Sequence, residues 1–106
     1  MRPEPFQAIA DPNRRYILQL LTKETLSINA LAENFEMSRP AVSKHIKILE
    51  EAGFVSISDV GRERYCTLQQ EGFEELQEWI NEFDQFWTSK LKKLDQVMMK
   101  AAKKKK

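Results

Sequence analysis

Residues 37 to 55 read MSRPAVSKHIKILEEAGFV, and the fold turns on how this stretch is read. Ser38 suits an N-cap, because its hydroxyl can accept a hydrogen bond from an orphan amide of the first turn. Pro40 falls in that turn, where a missing N–H breaks no intrahelical bond. Val42, Ile46 and Leu49 follow at helical spacing and form one apolar stripe. Gly53, after Ala52, is a natural stop. The rest of the surface carries Arg39, Ser43, Lys44 and Lys47, with His45 beside them. A helix over about 39–52, anchored by its stripe and cationic near its N-terminus, has the form of the base-reading helix of a helix-turn-helix. A surface helix with ordinary solvated charges fits this stretch equally well when it is taken alone.

The residues on either side favour the first reading. Upstream, Thr25 to Ser27 is short enough for a single extended bridge. Ser27 can cap a helix with Ile28, Leu31, Ala32 and Phe35 at i, i+3, i+4 and i+7. Glu36 and Met37 then form the turn of a two-helix unit. Further back, Phe6, Ile9 and Ala10 fit a short apolar helix. Asp11 and Pro12 open another helix, with Asp11 as cap, which carries Ile17, Leu18, Leu20 and Leu21. Arg14 and Arg15 lie in its first turns, against the dipole. They are there for a partner, or are surface arginines with local acidic neighbours.

Downstream, Phe54 to Ser58 reads as a strand, Asp59 to Arg62 as a turn around Gly61, and Arg64 to Leu68 as the returning strand. A hairpin directly after a helix-turn-helix is a wing. Arg62 and Arg64 stand at or near its tip, within reach of phosphates or the minor groove. Cys66 shares strand parity with Leu68 and should face inward as a small hydrophobe.

From Glu71 the pattern predicts one helix to about Ala101. Phe73, Leu76, Ile80, Phe83, Trp87, Leu91, Leu94 and Met98 recur at threes and fours, with Trp79 and Phe86 widening the stripe. So much apolar surface on a small domain implies a partner, most simply a second copy in a two-fold dimer. Packing against the N-terminal helix is the alternative, and both can hold. The fold class is mainly α with a small β-hairpin wing: a winged helix-turn-helix with a long C-terminal dimerisation helix. It spans residues 1–101, and a disordered lysine tail is expected over 102–106.

Composition narrows the function. The chain has 106 residues and a formal net charge of +1, so it is no bulk polycation and any nucleic-acid binding must come from charge placement. One cysteine excludes an intramolecular disulfide and fits a reducing cytoplasm. No apolar run approaches a membrane span, and the N-terminus lacks a signal-peptide core. A cytoplasmic location is therefore expected. No nucleophile is paired with a base, and no glycine loop could cradle a phosphate, so an enzyme is not expected.

The sequence resembles the ArsR/SmtB family of winged-helix repressors. Three segments carry the likeness: AIADPNRRYIL at Ala8 to Leu18, SRPAVSKHIKILEEAGFV at Ser38 to Val55, and GRERYCTL at Gly61 to Leu68. With matching spacing they cover most of residues 6 to 80. The resemblance implies a homodimer, paired through its first and last helices, that represses a promoter by binding an inverted repeat in double-stranded DNA. Phe6 and Ile9 would then join Phe73, Leu76, Trp79, Ile80, Phe83, Phe86, Trp87, Leu91 and Leu94 at the dimer contact. The family's cysteine-bearing metal motif falls here on Ser27, Ile28, Asn29, Ala30 and Leu31, without a cysteine. The family's other metal site needs histidines on the last helix, which has none. His45, the only histidine, matches a residue common in the family's recognition helix. The likeness is thus to the non-metal, autorepressor-like branch, with no cofactor and an unidentified effector, if any. A winged helix serving as a protein-interaction module is the competing function.

Overall fold

A computed structural model describes residues 4 to 104, apart from the side chains of 95, 96 and 99 to 104. The elements are α1 (Pro5–Ala8), α2 (Pro12–Leu21), β1 (Leu26–Ser27), α3 (Ile28–Ala32), α4 (Arg39–Glu51), β2 (Val55–Val60), β3 (Glu63–Leu68), α5 (Gln70–Asn81) and α6 (Asp84–Lys104). They fall into two compact units that divide between Leu76 and Gln77.

In the first unit the starts of α2, α3 and α4 are each set by a polar cap. The Asp11 carboxylate accepts from the amides of Asn13 and Arg14, and the Ser27 and Ser38 hydroxyls accept from Ala30 and Ala41. Such caps are each worth about 1 kcal/mol. Helix α4 ends in a Schellman arrangement, with Gly53 N–H donating to Glu50 and Phe54 N–H to Leu49. Its stripe of Val42, Ile46 and Leu49 is fully buried, beside Ile17, Leu18 and Leu21 of α2 and Ile28 and Leu31 of α3. Phe54, Val55 and Cys66 close the core from the sheet side. Each such aliphatic side chain contributes roughly 1.5–3 kcal/mol by leaving water.

At four points the structure changes or completes the sequence reading. Helix α3 stops at Ala32, and Phe35 lies beyond it, stacked edge-on against Tyr16 of α2 at 5.4 Å. An apolar residue at the right spacing marks a core contact, which an irregular segment can also make. Leu26–Ser27 pairs antiparallel with β3, Leu26 opposite Cys66, giving a three-stranded sheet of order β1-β3-β2. Asp59 and Val60 belong to β2 and pair with Arg64 and Glu63, so the hairpin loop is Gly61 and Arg62 alone. With φ +63° at Gly61 and no positive φ at Arg62, this is the two-residue type II′ form, whose twist matches that of paired strands.

The fourth difference lies in the second unit. The expected single helix is two, α5 and α6, separated at Glu82 and Phe83. The amides of Glu82 and Phe83 bond three residues back, to Trp79 and Ile80, which tightens and ends α5. Asn81, a weak helix former whose Oδ1 accepts from the Gln77 side chain, stands at this end. Asp84 opens α6, where a carboxylate suits the dipole. Neither Pro nor Gly marks the break, so periodicity ran across it unseen. Helix α6 continues to Lys104, into the expected tail, and residues 105 and 106 lie outside the described residues.

Candidate nucleic-acid interface

With its stripe buried and Ile48 packed beside it, α4 offers its opposite side to solvent. Arg39, Pro40, Lys44 and Lys47 are exposed, and Ser43 and His45 are half-buried. Ser38 and Pro40 shape the helix start, as cap and as a first-turn proline. The Arg39 Nε–H donates to Oδ1 of Asn29, on α3. Among the described residues neither Lys44 nor Lys47 is tied up in an ion pair.

His45 is held from the other side. Its Nδ1 lies 3.2 Å from a terminal nitrogen of Arg14. A guanidinium has no acceptor, so in this contact Nδ1 is the accepting atom. Arg14 also donates from Nε to the Ala8 carbonyl at 2.5 Å and from its other terminal nitrogen to Gln7. Arg15 donates to the carbonyls of Ile9 and Ala10. The two arginines therefore satisfy the chain leaving α1, and of the acidic neighbours that the sequence reading allowed only Asp11, 4.0 Å from Arg14, is an ion-pair partner among the described residues. Burial alone would raise the Asp11 carboxyl. The amides of Arg14 and Asn13, with His45 and Arg14 nearby, bring it below its ordinary value instead.

The wing divides its charges between two faces. Arg64 pairs with Asp59 across the ladder, Nε to Oδ1 at 3.1 Å, and both are well exposed. An exposed pair of this kind is worth at most about 1 kcal/mol and can yield to a phosphate. Arg64 also lines, with Ser43, Lys47, Glu50 and Ile57, a groove of about 350 Å³ between α4 and the sheet. Arg62, in the loop, makes no ion pair among the described residues. Glu63 accepts from the Tyr65 hydroxyl at 2.9 Å, and the carboxylate holds the phenol above its ordinary pKa. Ser43, Lys47 and Arg64 are thus brought to one groove. Arg39 stands at the helix start and Arg62 at the wing tip. Sequence reasoning missed Asn29, because an exposed Asn in a short helix carries no periodic signal. It also missed Glu50, an acid inside a basic groove.

Cys66 faces the core, and burial, with the Glu50 charge, pushes its thiol up to about 11. Among the described residues no group of three His, Cys, Asp or Glu side chains converges as metal ligands would. None of their helices is long and apolar enough to cross a membrane.

The expected dimer residues divide. Phe73 stacks edge-on with Phe54 at 4.9 Å, and Leu76 and Ile9 pack against the core of their own chain. Phe6 is half-buried. In the second unit Trp79, Ile80, Phe83, Phe86, Trp87, Leu91 and Leu94 are between 40% and 59% exposed, a high value for apolar side chains. Trp79, Ile80, Phe83, Phe86 and Trp87 line a shallow cleft of about 210 Å³.

Two short helices meeting at a turn, the second presenting cations, with a hairpin following it, define a winged helix-turn-helix, a class of nucleic-acid-binding regulator. Residues 11–56 match the model of a family described as bacterial regulatory protein, arsR family. The chain is 37% identical over 86 residues to the HTH-type transcriptional regulator Rv2034 of Mycobacterium tuberculosis, covering 81% of this chain and 78% of that protein. It is 35% identical to the transcriptional repressor SdpR of Bacillus subtilis, covering 74% of this chain and 87% of that one. A crystal structure of an ArsR family transcriptional regulator superposes with a TM-score of 0.74 at 35% identity, over 80% of this chain and 93% of that one. The chain belongs to the arsR family of bacterial regulatory proteins. It is a DNA-binding transcriptional regulator, and not an enzyme.

Proposed function

We propose that this regulator is a cytoplasmic homodimeric repressor that binds an inverted-repeat operator, one α4 to each half-site. The observation that carries the reading is the exposed start of α4, where Arg39, Ser43 and Lys44 stand around a helix whose other side is buried. Major-groove helices read base edges mainly with their N-terminal half. Arg39, Ser43 and Lys44 are therefore the base readers. Lys47, Arg62 and Arg64 hold phosphates or enter the minor groove. His45, engaged through Nδ1, contributes less. Repression follows from occupying a promoter and agrees with the name of the Bacillus relative.

The exposed apolar face of the second unit supports dimerisation, with Phe6 of α1 and Ile9 just after it as further expected contributors. The reading involves no cofactor and no metal. Selecting genomic fragments with the purified protein, then titrating the selected duplex at several salt concentrations, tests it. The expected result is an enriched inverted repeat and affinity that falls steeply with salt, as counterion release requires. Salt-insensitive, sequence-blind binding, or no binding, would put the protein-interaction module ahead.

A further inference from the structure

Asn29 lies on α3, at a position the sequence reading noted only for its lack of a metal-binding cysteine, and its side chain is exposed. Its side-chain Oδ1 accepts the Nε–H of Arg39. Because Arg offers only donors, the oxygen and not the amide nitrogen of Asn29 must face it. A guanidinium carries five N–H donors in a rigid planar fork. Fixing Nε–H to α3 fixes that plane and leaves the two terminal nitrogens as a parallel pair. A guanine in the major groove presents two acceptors, O6 and N7, at matching separation. Adenine and thymine offer no such pair of acceptors, and cytosine offers a donor.

We propose that Asn29 is a positioning residue that orients Arg39 for end-on, bidentate recognition of a guanine in each half-site. The inference rests on the reading of α4 as the base-reading helix and deepens it. A flexible arginine left to itself shares its hydrogen bonds between base edges and neighbouring phosphates. One held by a neighbouring helix keeps its fork where the guanine lies, so less rotamer freedom is lost on binding.

The experiment is a selection from randomised duplexes with wild type, Asn29→Ala, Asn29→Asp, Arg39→Ala and the Asn29→Ala/Arg39→Ala pair. Affinities are then measured on the four variants of the affected base pair. Wild type should favour guanine over the other bases by about 5- to 150-fold at one position per half-site, and Arg39→Ala should abolish that preference. Asn29→Ala should reduce it roughly 3- to 10-fold at the same position and leave the salt slope unchanged. Adding it to Arg39→Ala should change nothing further at that base pair. Asn29→Asp, which keeps the accepting oxygen, should retain the guanine preference while weakening all sequences alike, since its charge repels phosphates. Replacing the guanine with 7-deazaguanine should cost wild type affinity and leave Arg39→Ala indifferent.

The proposal is overturned if Asn29→Ala leaves the discrimination intact, alters a different base pair, or adds to the Arg39→Ala loss. If Arg39→Ala itself keeps every base preference, Arg39 reads no base and the assignment under Proposed function fails for that residue as well. Loss of preference in Asn29→Asp equal to that in Asn29→Ala would also sink it.

Discussion

Arg14 and Arg15 stand in the first turn of α2, where the macrodipole disfavours cations. The carbonyls of Gln7, Ala8, Ile9 and Ala10 explain them, since each accepts from one of the two guanidiniums. On the proposed reading, the roles at the interface divide by position. Ser43→Ala and Lys44→Ala should each cost roughly 1–3 kcal/mol on the preferred operator and relax one position per half-site. Arg62→Ala should weaken all sequences alike and lower the salt slope by about one per contact. Binding to a library of operator variants at several salt concentrations checks both. If Arg62→Ala shifts base preference while the helix variants change only overall affinity, the roles are reversed. Cys66 gives a pH prediction. Its folded-state pKa of about 11 lies above the ordinary value of 9.0. The stability contribution is therefore fully present below about pH 9 and lost as pH rises toward 11, where the unfolded thiol ionises first. The loss should approach roughly 2–3 kcal/mol. Urea unfolding of wild type and Cys66→Ala between pH 8 and 11 should show a slope that the variant lacks.

At the scale of elements, the join between α4 and α5 is set by Gly72. Its amide donates to the Gly53 carbonyl at 2.7 Å, and Gln69 donates to Phe54 at 2.8 Å. A Cβ at Gly72 would lie 2.9 Å from both the Ala52 carbonyl oxygen and the Phe54 ring. Backbone and a fully buried aromatic cannot easily give way. Gly72→Ala should therefore destabilise the first unit by about 1–3 kcal/mol, although alanine is the better helix former. A variant as stable as wild type in thermal and urea unfolding would mean that the two helices separate without penalty.

For the whole molecule, the proposed dimer rests on the exposed aromatic face of the second unit. Replacing Ile80 and Phe83 together with Asp should give monomers or insoluble protein, read by sedimentation velocity. A wild type that sediments as a monomer at micromolar concentration would remove the dimer. A two-fold dimer must present both copies of α4 to one face of the duplex. The half-sites should then lie about one helical turn apart, or a multiple of it, which the spacing in selected fragments reports. Zinc should have no stoichiometric effect on DNA affinity, because the family's cysteine and histidine positions are otherwise filled. Release of DNA at one metal per subunit would overturn that.

Most of the winged helix-turn-helix could be read in the sequence because its signals are local. Ser27 and Ser38 cap helices through atoms within three residues. Val42, Ile46 and Leu49 repeat at the helical period, and Gly61 marks a turn only a few residues can make. The family likeness drew on the same short stretches. What depended on distant partners was not legible. The pairing of Leu26 with Cys66 joins residues forty positions apart. The packing of Leu76 against its own chain's core, and of Phe73 on Phe54, looks in sequence the same as a dimer seam. The end of α5 at Asn81 is made by a few tightened amides that leave the apolar period intact. The tie from Asn29 to Arg39 crosses between two helices, and only their packing brings the amide oxygen to the guanidinium. Local propensity and period set which elements form in this chain. Contacts between elements set which charged groups are held in place, and no local pattern encodes those.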